Sequence, residues 1–281
     1  MDAINLLTLP QPAVVQSLSF EQILAEHKAD LLARYPACAD VLDLESEPLV
    51  KLIQTHAYRE LLYRQRVNES ALANLLAFAT GTDLDHKGAF YNLARLAGEG
   101  DDRYRTRIQL RIAALAGHGT AEHYRLLAMS TSLNVRDVSV RQPVPGQVAV
   151  VLWLVDPALT TTTVAAVDTA LNAEGARMVG VPVSISVAVS KAINITAQIW
   201  RDSAAPSDLV TQIQQALPAQ IASYASLGRD VPKSWITTRI HVAGVARVVF
   251  PDASAPLEST VLGQDEYPVL GTCNLTDMGI A

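Results

Sequence analysis

Residues 44–96 constrain this chain more than any other stretch, because they read as helix with few breaks. Ser46 is an N-cap residue type, and Pro48 falls in the first turn, where a missing N–H costs nothing. Leu49, Leu52, Ile53, Ala57 and Leu61 recur at spacings of three and four and form an apolar stripe, while Lys51, Gln54, Thr55, Arg59 and Glu60 take the other face. A second apolar set, Val67, Ala71, Leu72, Leu75 and Leu76, continues to Gly81, a residue suited to the left-handed position that ends a helix. Unbroken, such a helix is roughly 50 Å long, although residues 68–70 offer a place to divide it. A helix of that length lacks enough of its own chain to cover its stripe. The stripe is therefore expected to lie against another subunit.

Composition agrees with an assembly part. Of the 281 residues, 49% are hydrophobic and only 18% charged, which fits either a well-packed soluble protein or one whose surface is covered by obligate partners. A net charge of −6 supplies no basic field for a phosphate backbone, so nucleic acid is not an expected partner. Cys38 and Cys273 lie far apart with no metal-ligand or disulfide spacing and read as reduced thiols. The N-terminus lacks the features of a signal peptide. The longest apolar run, 148–155, is too short to span a bilayer and reads as a buried strand, so a soluble protein is expected, with no membrane partner.

Before the long helix, residues 1–20 read as an irregular arm, interrupted by Pro10 and Pro12. A short helix over 19–35 is capped by Ser19, carries Phe20, Ile23, Leu24, Leu31 and Leu32 as its apolar positions, and is ended by Pro36. After Gly81, Asp83 is positioned to cap a helix carrying Leu84, Leu93 and Leu96. Residues 98–100 form a turn, and Asp101 caps a helix to about residue 116. In that helix Arg103, Arg107 and Arg111 line one face at intervals of four, and Tyr104, Ile108, Ile112 and Leu115 line another. The arginines form either a solvated face partly paired with Asp101 and Asp102 or a docking face for an acidic partner; the residues alone do not separate the two.

At 117–120 the composition changes from Leu/Ala/Arg-rich to Val/Ile/Thr-rich. A helix (121–133) leads into a strand (135–140), and much later a helix (235–242) leads into another strand (246–250), a weak internal repeat. Between them come a strand at 148–154, a helix at 162–173, hairpin-like strands at 183–189 and 192–200, and a helix at 207–224. The expected fold class is α+β: a mainly helical N-terminal region with long helices, then two small α+β modules. The expected divisions are an arm with a short helix at 1–43, a helical wedge or bundle region at 44–117, and modules at 118–190 and 191–281.

No residue is assigned to catalysis, a cofactor or a metal. His118 and His123 flank a helix start without a third ligand, and phosphate-binding loops, nucleophile elbows and zinc-protease motifs are missing from the sequence. Asp83, Asp85 and His86 form the only cluster resembling acid–base machinery, and an enzyme using a cleft there is the alternative reading. No nucleophile or oxyanion element accompanies them.

The stretch SEPLVKLIQTHAYRELLYRQRVNESALANLLAFATGTDLDHKG resembles the N-terminal region of the baseplate J-like proteins, wedge subunits of contractile phage tails and tailocins. GEGDDRYRTRIQL, NVRDVSVRQPVPGQVAVVLW and LGRDVPKSWITTRIHVAGVARVVFPD are similar to further blocks of that family, in family order. The resemblance implies a structural protein of the inner wedge ring, not an enzyme. Its implied partners are other copies of itself, a tail-protein-I-type wedge subunit, the lysozyme-like sheath initiator, and the central spike or hub proteins. It also implies assembly in the host cytoplasm and a final place in the baseplate of a virion or tailocin. Leu49, Leu52, Ile53, Ala57, Leu61, Arg103, Arg107 and Arg111 are the residues expected at partner interfaces.

Overall fold

Ser19 opens the first helix as its sequence requires: the Ser19 hydroxyl accepts the Gln22 amide, and α1 runs Phe20–Arg34. The computed structural model describes Leu6, residues 9–178 and residues 180–281; the expected arm at 1–5, 7 and 8 lies outside them. The chain divides after Ile108 into two compact units, and the fold is α+β.

In the first unit, α2 spans Pro48–Ala73. Its N-cap is Glu47 rather than Ser46, because the ring of Pro48 forces the residue before it out of helical geometry, and Glu47 is extended (φ −70°, ψ 129°). Residues 68–70 do not divide α2. Buried Asn68 instead clamps the N-terminal segment, its Oδ1 accepting the Gln16 amide at 3.1 Å and its Nδ2 donating to the Gln16 carbonyl at 2.8 Å. Gly81 does not end α2 either; with φ +52° it starts α3, Gly81–Phe90. Leu93 and Leu96 therefore lie beyond that helix. Helix α4 spans Asp101–Ala114, and Tyr104 and Ile108 pack with Leu84 and Ala79 in a small core. A Cβ at Gly88 would lie 1.7 Å from the Tyr104 hydroxyl, so glycine alone allows α3 to approach α4 this closely. The Tyr104 hydroxyl donates to the Leu93 carbonyl at 2.7 Å.

The second unit contains two three-stranded sheets. Thr120 caps α5 (Ala121–Thr131) through the His123 amide. The chain then forms β1 (Val135–Arg141), β2 (Val148–Leu154), α6 (Thr160–Asn172) and β3 (Val183–Val187). Strand β2 is central, antiparallel to β1 and parallel to β3. That position explains its unbroken apolar run, since Ala149 to Leu154 are all buried. Next come β4 (Val189–Arg201), α7 (Leu209–Tyr224), β5 (Val231–Pro232), α8 (Lys233–Ile240), β6 (Val245–Val249), β7 (Ser259–Thr260) and β8 (Glu266–Ile280). Strand β4 is central in the second sheet, antiparallel to β6 and parallel to β8. Its Ile193, Ile195, Ala197 and Ile199 form a core with Ile213, Leu217 and Ile221 of α7 and Ile236 and Ile240 of α8.

The expected repeat takes a permuted form. A helix–strand pair (α5–β1, α8–β6) lies antiparallel beside a strand–helix pair (β2–α6, β4–α7), with a parallel strand (β3, β8) on the other side. The hairpin expected between 183–189 and 192–200 does not form. One residue, Ala188, separates β3 from β4, too few for a two-residue turn, and the strands join different sheets. The sheets meet where the Trp153 and Tyr267 rings stack at 4.5 Å, with the Arg136 guanidinium 4.0 Å above Trp153. Val151 and Ala188 bury the same seam against Ala225 and Leu227.

Candidate interaction surface

Helix α2 has two apolar sides. Ile53 (8% exposed) and Ala57 (0%) are buried; Ile53 and Leu49 pack with Leu24 and Leu31 of α1 and with Cys38 and Leu42 that follow it. The expectation that another subunit covers this stripe is thereby corrected: α1 doubles back along α2 and covers it. Leu61 is half-buried. Leu52, part of the expected stripe, lies about 100° around the axis from Ile53 and is 55% exposed.

Apolar residues of α2 outside the covered positions face water, and Tyr58, Leu62 and Tyr63 among them belong to neither expected apolar set. Tyr63 is 71% exposed and Val67 60%, and Tyr58 and Leu62 are also exposed. Leu52, Tyr63 and Val67 fall within about 60° of one another around the axis at 100° per residue. The signal was present as this second spacing, but the stronger stripe beside it masked it.

An ion-pair cluster fixes α1 on α2. Arg64 bonds Glu60 (2.5 Å) and Glu26 (3.3 Å), and His27 Nε2 lies 2.7 Å from Glu60. The Arg64 hydrogen bond, helped by His27 and opposed by burial, holds the Glu60 carboxyl below its ordinary value. A carboxylate with a depressed folded pKa contributes stability that is present above its unfolded pKa and lost as pH falls through the folded one. The helical unit should therefore lose melting temperature below about pH 4.5. Glu60→Gln should flatten that loss slightly, since half-exposed pairs contribute only ~0–1 kcal/mol. Thermal melts of both proteins from neutral to acid pH test this, and identical acid slopes would remove Glu60 as a cause.

The arginine face of α4 is not solvated, and most of it is not free to dock. The Arg107 side chain is 2% exposed and donates to Glu99, itself 0% exposed, at 2.6 Å. Arg103 bonds the other Glu99 oxygen, and Glu99 also accepts the Leu96 amide at 3.0 Å. Burial pulls the Arg103 guanidinium below its ordinary pKa, with Glu99 opposing. Arg111 is half-buried. Asp101, expected to cap its own helix, instead accepts the Gly81 amide of α3 at 3.0 Å and pairs with Arg95 at 2.7 Å. The Gly81 amide and then Arg95 hold its carboxyl below the ordinary range.

Asp83, Asp85 and His86 do not converge. Asp85 pairs with Arg95 at 2.6 Å, an arginine stacked over Tyr104. Asp83 and His86 line a shallow polar groove with Arg66, Glu69, Asn74 and Lys87. Among the described residues no helix is long and apolar enough to cross a membrane.

A family model described as the baseplate J-like N-terminal domain matches residues 45–101, the stretch that holds α2, α3 and the turn carrying Glu99. The chain is 38% identical over 289 residues to baseplate protein J of Escherichia phage P2, an alignment covering 95% of this chain and 95% of that protein.

Proposed function

Because this chain belongs to the baseplate J family, we propose that it builds the inner wedge ring of a contractile-tail baseplate by self-association and by contacts with other wedge proteins. Membership carries a structural role in a baseplate. The finer assignment is to bind further copies of itself, a tail-protein-I-type wedge subunit, the lysozyme-like sheath initiator, and the spike or hub proteins at the centre. Its final location is then the baseplate of a virion or tailocin, reached after assembly in the host cytoplasm.

The observation that carries this reading is the outward side of α2. Leu52, Tyr63 and Val67 face solvent on a helix that α1 anchors along the neighbouring stripe. A tyrosine held on a rigid element, as Tyr63 is, belongs to the residue types enriched among interface hot spots, and an apolar stripe on a helix is buried when a second helix packs along it. Tyr63→Ala with Val67→Ala should weaken co-purification with the tail-protein-I-type subunit by at least about tenfold. The melting profile should not move, because neither side chain supports this chain's own core. Full-strength capture by the double variant would remove α2 from the interface.

A further inference from the structure

Residues 209–251 carry Arg229, Lys233, Arg239 and Arg247 against a single acid, Asp230, in a chain whose net charge is −6. Among the described residues none of these cations has a carboxylate within ion-pair distance. Each lies instead over an aromatic ring: Arg229 over Tyr224 (3.7 Å), Lys233 over Phe250 (5.0 Å), Arg239 over Trp235 (5.3 Å) and Arg247 over Trp200 (4.8 Å). Two of these pairs join, because the Tyr224 and Trp235 rings are 4.2 Å apart. The result is a continuous stack, Arg229, Tyr224, Trp235, Arg239, at the end of α7 and along α8.

The rings are half-buried on the core of the second sheet, and the two guanidinium groups are exposed. Arg229 is further tied to the Tyr224 carbonyl at 3.2 Å, and the Tyr224 hydroxyl donates to the Asp230 carbonyl at 3.3 Å. Tyr, Trp and Arg on a rigid support are the composition of an interface centre. A stacked guanidinium keeps its edge free to fork onto a carboxylate.

The matching charge lies in the other unit. Residues 35–50 contain Asp40, Asp43, Glu45 and Glu47 and no lysine or arginine. None of the four carboxylates is in an ion pair among the described residues. Leu44, in their midst, is 52% exposed, while buried Leu42 and the amide bonds Leu44 to Val41 and Glu47 to Leu44 hold the segment in shape.

We infer that the Arg229–Tyr224–Trp235–Arg239 stack docks the acidic segment 40–47 of a second copy of this chain, an inference that rests on the self-association read above. Two different patches on identical copies make a head-to-tail contact, which closes into a ring when the rotation allows. The guanidinium groups take the carboxylates, and Leu44 meets the outward edges of the half-buried rings. Such a contact weakens with salt.

The test is sedimentation velocity on the full-length chain, alone and with the tail-protein-I-type subunit, at low and high salt. R229E/R239E and D43K/E45K should each weaken self-association by at least about tenfold while melting like the parent. An equimolar mixture of the two should restore it, because the reversed patches again attract. The neutral R229Q/R239Q variant should show a smaller loss in the same direction. Undiminished self-association in R229E/R239E overturns the docking site and leaves the ring reading standing. Loss of the wedge subunit alone, with self-association intact, assigns the stack to that subunit and also overturns the inference. A parent protein that stays monomeric with and without the subunit removes the ring reading and the second-copy occupant together.

Discussion

Replacing Glu99 by Ala should remove the cooperative melting of the helical unit at temperatures where the parent remains folded. Arg107 and Glu99 are nearly inaccessible to water, and Arg103 is only 18% exposed. Their attraction offsets the cost of desolvating three charges, and deleting the anion leaves two cations buried without it. Breaking a buried pair from one side costs about 3–5 kcal/mol, a large part of the ~5–15 kcal/mol that separates a folded domain from its unfolded chain. At roughly 4–8 °C per kcal/mol for a unit of this size, the midpoint should fall by more than about 10 °C. The same change frees the Leu96 amide and loosens the turn that Arg95 holds through the Glu99 carbonyl. A double variant, Glu99→Gln with Arg107→Met, should cost less than the sum of its single changes, because neither leaves the other's charge stranded. Circular dichroism melts of the parent, Glu99→Ala, the two single variants and the double variant decide the matter. An unmoved midpoint in Glu99→Ala would show that water reaches the network and that burial does not set its energy.

Two neighbours on α2 should give opposite results on mutation to Asp. Ile53→Asp places a carboxylate among Leu24, Leu31, Cys38 and Leu42, a penalty of several kcal/mol without a partner group. The helical unit should then fail to fold, and the protein should precipitate or expose that region to protease. Leu52→Asp changes a side chain already in water, so stability should move by no more than about 0.5 kcal/mol. If this side of α2 is the partner seam proposed above, what Leu52→Asp should lose is complex formation, since it would put charge into that seam. A Leu52→Asp protein that melts normally and enters wedge complexes at full strength would return this side of α2 to the status of solvated surface. A soluble, normally melting Ile53→Asp protein would mean that α1 does not cover the stripe.

Much of the architecture can be read without coordinates. Ser19 accepts the amide its spacing predicts, the apolar run at 148–154 is the central strand of a sheet, and α+β describes the whole chain. These features are local: a cap acts within one turn, and an unbroken apolar strand must be buried on both faces wherever it lies. Pro48 also acts locally, yet it moved the cap by one residue, since its ring restricts the residue before it more than Ser46 favours capping.

Only tertiary packing decided the partners of each face. Periodicity marks Leu49, Ile53 and Ala57 as apolar neighbours, but whether α1 or another chain covers them depends on how the chain turns at Pro36–Val41. The arginines at 103 and 107 have the spacing of a surface stripe, and they are buried because a glutamate in a separate turn waits beneath them. Strand β8 shows the limit most plainly: no element is expected over 266–280, a stretch that holds Pro268, Gly271 and Gly279. It is a strand because β4, distant in sequence, offers a parallel edge along nearly its whole length. A sequence records which side chains avoid water, and the hydrogen-bonding and ionic partners of those that do not are fixed only when distant segments meet.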